Sequence, residues 1–374
     1  MLKKNKKSFF IKILIFVFII GSITLTSCFS QKYDKETFEP EKAADGSSKE
    51  ETQESLKTGK LTDREIVGDI NILSGLIISD GILDSRPIAI MVENSPDSRP
   101  QSGLIDADIV FEVVDEGGIT RYVAVFSSRD ARIVGPVRSA RIYYAEIARS
   151  FDPIYVFFGT YPEAYKVIYS MGLDVLSTIS DPTGESPIAA GASYWRDWNR
   201  SQVQEHTAFM STSDLKEDAK RFGYSNEGGQ SPMKFKLDAM ESERGNISHI
   251  VIDFSTSLYR VDFEYDRQAN KYLKFTAGLP HTDYESGDQI AVNNIIVMIT
   301  EIRGPIDEAG HMAVTTVGKG DSYYFFDGKV TEGYWERDSV TVPFAFKDRS
   351  GKNILFNRGR TWVAVLPGVD RLTY

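Results

Sequence analysis

The chain reads as an α+β, or α/β, protein: an N-terminal α/β layered domain followed by a C-terminal all-β domain of barrel or sandwich type. Three observations lead there. Apolar strand-like runs alternate with helix-like segments between residues 87 and 171. The helical period vanishes after His249, and only short strand runs punctuated by turn residues follow. The amino terminus is basic, then apolar, and ends on Cys28, so it stands outside the folded part.

That terminus comes first. Lys3, Lys4, Lys6 and Lys7 precede the unbroken apolar run Ile13–Ile20, and Leu25-Thr26-Ser27-Cys28 closes it, which is the layout of a secretory signal. The closing tetrapeptide resembles the lipobox of bacterial lipoproteins, in which the cysteine thiol receives a diacylglyceryl group and becomes the first residue after cleavage. Residues 1–27 are thus expected to be a signal peptide, and the mature protein to be lipid-anchored at Cys28 on the extracytoplasmic face of the cell membrane, with palmitate-type chains holding it there. A retained transmembrane anchor is the competing reading. The 13 residues from Ile13 to Leu25 make only about 20 Å of helix, against a hydrocarbon core of about 30 Å.

Cys28 is the sole cysteine, so no intramolecular disulfide is available and the fold rests on buried apolar surface. The four histidines show no zinc-binding spacing, and neither metal nor cofactor is expected, a carboxylate calcium site being the alternative left open. The formal charge is −10, and loss of residues 1–27, with five lysines and no acid, takes it to −15. Such an exterior argues against wholesale binding to nucleic acid or anionic wall polymer, which needs clustered positive charge, so any anion site must be local. Residues 28–66 are rich in Lys, Glu, Ser and Thr and poor in branched aliphatics, which predicts a disordered tether spanning roughly 30–35 Å.

The α/β domain is expected over 67–245. Residues 87–94 and 108–114 read as buried strands, and 119–127 alternates as a third, joined to the second through Glu116-Gly117-Gly118 as a hairpin. Ser139 is the expected N-cap of a helix over 140–150. A strand over 154–158, a helix over 162–171 with proline in its first turn, and a further helix near 213–222 complete the domain. The β domain, 246–374, is expected to hold strands near 250–254, 259–265, 272–276, 290–302, 313–317, 323–326, 330–335, 341–346 and 362–366.

Nine arginines and no lysine occur between Leu61 and Tyr165. A guanidinium offers a planar fork for two-point binding of carboxylate or phosphate, so the bias points to geometry rather than bulk charge. Arg138 and Arg141 sit at the entrance of the expected helix, where free N–H groups favour an anion. Arg121, Arg138, Arg141 and Arg99 are therefore anion-binding candidates; internal pairing with Glu112, Asp115, Glu116 or Asp130 is the alternative. Asp115, Glu116 and His206 are weaker catalytic candidates. Glu112 would face away from Asp115 on a strand, which splits the carboxylate trio. The stretch Tyr194-Trp195-Arg196-Asp197-Trp198 near His206 offers rings that can stack on a sugar or a base. No nucleophile elbow, phosphate loop or dinucleotide fingerprint is present.

The segments Arg99-Pro100-Gln101-Ser102-Gly103-Leu104, Ala107–Glu112, Glu116–Arg121 and Gly135-Pro136-Val137-Arg138-Ser139-Ala140-Arg141 resemble the YerB-like lipoproteins, a two-domain family of unassigned function. Asp327-Gly328-Lys329, Gly333-Tyr334-Trp335 and Gly359-Arg360-Thr361-Trp362 are similar to its second domain. The resemblance implies architecture and location and carries no catalytic residues. Phe157–Tyr161 and Glu205-His206-Thr207 depart from that family's pattern, which favours binding over catalysis. The expectation is a membrane-anchored extracytoplasmic module that binds an anionic envelope ligand, such as an anionic glycan, or a protein partner. The alternative is a hydrolase or transferase acting on a cell-wall polymer.

Overall fold

The computed structural model describes residues 64–78 and 82–374; the signal peptide, Cys28 and nearly all of the expected tether lie outside them. In the first half, strands β1 (Ile88–Glu93), β2 (Ile109–Val114), β3 (Thr120–Phe126), β4 (Ile154–Phe157) and β5 (Asp174–Ser177) alternate with helices α1 (Ile142–Arg149), α2 (Pro162–Ser170) and α3 (Thr212–Arg221). The second half adds β6 (His249–Asp253), β7 (Arg260–Asp266), β8 (Lys271–Thr276), β9 (Asn294–Ile299), β10 (Gly318–Phe326), β11 (Lys329–Arg337), β12 (Ala345–Asp348), β13 (Thr361–Leu366) and β14 (Leu372–Thr373), with shorter ladders between them.

Ten of these strands form one mixed sheet in the order β12-β11-β10-β9-β13-β2-β3-β1-β4-β5. It draws five strands from each half. The join is parallel: β13 lies between β9 and β2, with Trp362 opposite Ile295 on one side and Val110 on the other. The expected hairpin is present, β2 and β3 running antiparallel with Glu112 opposite Tyr122. A second antiparallel sheet orders β8-β7-β6-β14, with residues 279–280 and 291–292 each pairing β8.

Every residue of β1, β2, β3 and β13 is buried, because both faces of the large sheet are covered. Alternation along each strand divides the core in two. Ala89, Met91, Phe111, Val113, Val123 and Val125 pack with Tyr144 and Ile147 of α1 and Tyr165 and Ile168 of α2. Ile88, Ile90, Val110 and Ala124 point the other way, into a cluster with Leu215 and Ala219 of α3 and with Ile250, Ile252, Val261 and Phe263 of the second sheet. The β-rich half is thus layered, and among the described residues its strands do not close into a barrel.

Three local expectations shift. Helix α1 begins at Ile142, and Ser139 does not cap it: Ala140 N–H donates to Gly159 O at 3.0 Å and Ser139 Oγ donates to Phe158 O at 3.2 Å, so residues 138–140 run extended beside the end of β4. The run expected over 290–302 divides at Asn293, where the chain leaves the second sheet for the large one. The strand expected over 341–346 starts at Ala345, because the carbonyls of Val340 and Val342 accept from the buried Arg337 guanidinium. By contrast α2 starts at Pro162, and α3 is capped by Ser211 Oγ accepting from Asp214 N–H at 3.1 Å.

Candidate functional site

Register brings the charged residues together. Glu93 ends β1 directly opposite Arg121 of β3, and Asp115 and Glu116 lie in the β2–β3 turn that Gly117 and Gly118 close with positive φ. Arg138 is held where its N–H donates to Met91 O at 3.0 Å and its C=O accepts from Phe158 N–H at 2.9 Å; Arg141 sits at the N-cap of α1.

The result is an alternating chain of charges. Arg121 Nη1 lies 2.5 Å from Asp115 Oδ2 and its other nitrogens 3.9 Å from Glu93 and Glu116. Arg141 makes a two-point fork on Glu116, at 2.5 and 2.8 Å. Arg138 Nε donates to Glu93 Oε2 at 2.5 Å and its Nη2 to Glu205 Oε2 at 3.0 Å. Tyr143 Oη donates to Asp115 Oδ1 at 2.7 Å. Burial pushes Glu93 up, yet Arg121, Arg138 and the N–H groups of Ser95 and Asn94 together hold it below its ordinary value. Glu116, also buried in part, is brought down to about 2 by the Arg141 fork. Asp115 moves the opposite way, because deeper burial outweighs Arg121 and Arg141.

Arg121 and Arg141 are therefore engaged internally, whereas Arg138 reaches an open cleft of about 300 Å³. The floor forms where Val137 N–H donates to Ala208 O at 2.8 Å. Gly135 permits this approach: it adopts φ +151°, and a Cβ there would lie 2.8 Å from Ala208 O. Arg196 pairs across a short ladder with Ala208 and lines the same cleft. It donates to Gln204 O at 2.5 Å and Thr207 Oγ1 at 2.8 Å through Nη1, and its Cζ stands 5.1, 5.9 and 6.0 Å from the ring centres of Phe158, Tyr194 and Trp198. Among the described residues, Arg138 Nη1 and Arg196 Nη2 have no protein acceptor.

The remaining sequence candidates lie elsewhere. Arg99 donates to Asn94 Oδ1 at 2.9 Å and Leu258 O at 2.8 Å and stands over the Tyr259 ring, which ties β1 to the second sheet. His206 is buried behind the cleft with Nε2 3.1 Å from Ser95 Oγ, and no protein group among the described residues reaches its Nδ1. Glu112 leaves the carboxylate trio, as strand parity predicts. Fully buried between the sheets, it accepts from Thr120 Oγ1 at 2.9 Å and Trp362 Nε1 at 3.1 Å and lies 3.7 Å from Lys274 Nζ. Lys274 bonds Thr276 Oγ1 at 2.7 Å and lies 3.0 Å from His281 Nδ1, whose Nε2 is 2.8 Å from Gln101 Oε1. Burial brings Lys274 down to about 8 even beside Glu112. Sequence reasoning missed Glu93 as the buried partner of Arg138, and Glu205 and Arg196 as cleft-lining charges; the aromatic run around Arg196 was the visible signal. Among the described residues no group of three acidic, histidine or cysteine side chains gathers as a metal site, and no helix is long and apolar enough to cross a membrane.

Two family models match: residues 73–225 match the N-terminal domain, and residues 250–363 the C-terminal domain, of a protein of unknown function (DUF3048). A Bacillus subtilis (strain 168) protein described as "Putative lipoprotein YerB" is 32% identical over 303 residues, covering 80% of this chain and 86% of the relative. The crystal structure of the YerB protein from Bacillus subtilis is similar with a TM-score of 0.67 at 30% identity, covering 81% of this chain and 98% of that one.

Proposed function

The chain belongs to the two-domain DUF3048 family, whose models carry no assigned activity, and on that premise we propose that it is a lipid-anchored binding module for an anionic envelope ligand. The anchor rests on the signal-like terminus ending at Cys28 and on the lipoprotein description of its relative. Two acyl chains hold a protein stably at a bilayer where one binds only marginally. The folded part then faces the envelope on the extracytoplasmic side.

One observation carries the binding reading: Arg138 and Arg196 line the same cleft with guanidinium nitrogens to spare. Arg138 is oriented by Glu93, and Arg196 by three rings, so little side-chain freedom remains to be lost when an acid binds. The reading places the anion on Arg138 and Arg196, with Arg121 and Arg141 holding the frame. A hydrolytic alternative would draw on the Ser95–His206 contact, with His206 as base. Asp115 and Glu116 are committed to arginines, and among the described residues no acid holds His206 Nδ1, so that constellation lacks its orienting member.

The test is a thermal-shift screen of the purified protein against acidic sugars, teichoic-acid fragments and sugar phosphates, repeated with Arg138→Ala. A ligand at 100 times its Kd adds about 2.7 kcal/mol, enough for a clear rise in Tm that the variant should lose. A Tm unmoved by every acid would refute the reading, and the search would turn to a protein partner.

A further inference from the structure

We infer that the cleft selects a sugar acid, whose carboxylate displaces Glu205 from Arg138 while its ring rests against Tyr194 and Trp198; this deepens the anionic-ligand reading and rests on it. The Arg138 guanidinium is held differently on its two sides. Glu93, whose side chain is 2% exposed, grips Nε at 2.5 Å and forms part of the frame. Glu205 meets Nη2 at 3.0 Å and is 62% exposed. Glu205 is thus a carboxylate already seated on the cleft arginine but free to swing into water. An exposed ion pair of that kind is weak, so an incoming carboxylate that also reaches Arg196 can replace it.

The second half of the recognition lies beside Arg196. Phe158 meets Tyr194 edge to face at 5.1 Å, and Arg196 lies against Phe158 with Trp198 beyond it. Tyr194 and Trp198 are 43% and 47% exposed, although rings of this size are mostly covered in a folded protein. Flat rings next to a preorganised guanidinium suit a ligand with one apolar ring face and one acidic group. Gln204 lies along the same cleft and Ser139 beside it, able to meet hydroxyls. A polyphosphate or nucleic-acid strand fits less well, since Glu205 lines the cleft beside the two arginines and the chain as a whole carries a formal charge of −10.

The experiment is titration calorimetry of the whole protein with galacturonic acid and N-acetylmuramic acid, set against galactose, acetate and inorganic phosphate. At least one sugar acid should bind at least tenfold more tightly than galactose or acetate. Glu205→Gln should tighten it a few-fold, and Trp198→Ala should weaken it about tenfold; both side chains are exposed, so the fold is kept. Equal binding of acetate or phosphate and the sugar acids, unaffected by Trp198→Ala, would overturn the sugar inference while leaving an anion site. Tighter binding of galactose would overturn it too. A Glu205→Gln variant that binds the acid more weakly would show that Glu205 is part of the site and not its displaced occupant. Absence of binding by every acid would remove the anionic reading and this inference together.

Discussion

Replacing Lys274 by methionine should strike the fold where its two halves meet. Lys274 Nζ is wholly buried, lies 3.7 Å from Glu112 and 4.5 Å from the Trp362 ring centre, and bonds Thr276 and His281. Methionine fills much of the same volume, so the principal loss is the cation. Glu112 keeps the hydrogen bonds of Thr120 and Trp362 but remains as an uncompensated buried charge. Breaking one side of such a pair costs about 3–5 kcal/mol, a large part of the roughly 5–15 kcal/mol that holds a domain together. Urea unfolding at pH 7, followed by tryptophan fluorescence, measures it. Substituting Glu112 by glutamine in the same chain removes both charges, and the double variant should lose less than the sum of the two single losses. The pH dependence has a definite sign. Lys274 titrates near 8 in the fold, against an ordinary value of 10.5, so between those values the unfolded chain holds the proton longer and stability should rise with pH. That rise should be smaller in the methionine variant. A single-variant cost below about 1 kcal/mol, or strictly additive losses, would refute the electrostatic clasp.

Other substitutions probe other parts. Glu116 is held down to about 2, below its ordinary 4.5, so its pairing should stabilise the protein fully above about pH 4.5 and be lost as pH falls through its folded value. Acid unfolding of Glu116→Gln should accordingly show a shallower dependence over that window than the unaltered protein. Gly135→Ala forces a side chain into a φ +151° position against Ala208 O, and should cost at least about 1 kcal/mol in thermal unfolding while weakening acid binding in the cleft. Ser211→Ala removes the N-cap of α3 and should cost about 1 kcal/mol by urea titration, leaving binding unchanged.

Much of the local structure was legible because it is local. Ile154–Phe157 and the strand runs at 260–266 and 271–276 announce themselves by burial and alternation, and Pro162 marks the start of α2. The arginine bias marks a region where two-point pairing does occur, Arg141 gripping Glu116 with both its Nε and Nη2. What stayed hidden depends on distant partners. Ser139 has the composition of a cap, but the carbonyl of Phe158 takes its hydroxyl. Arg138 and Arg141 look equivalent in the sequence, and only Glu205, 67 residues away, and the ladder between Arg196 and Ala208 distinguish the one facing the cleft. The insertion of β13 beside β2 has no signature in either segment, because two strands that are apolar apart from Glu112 and Thr361 can pair with many others.

That insertion sets a timetable. A chain emerges from the ribosome amino terminus first, and β2 is complete long before its parallel neighbour exists; Glu112 waits for Trp362, 250 residues further along. Throughout that interval one side of β2 presents unpaired backbone N–H and C=O groups on a strand with no exposed residue to protect it. The first half alone is consequently a species with a sticky open edge, and the last strands act as its closure. A chain cut short before Thr361 should therefore aggregate before it folds, and during synthesis the unfinished molecule should need to be kept extended until its final fifteen or so residues arrive.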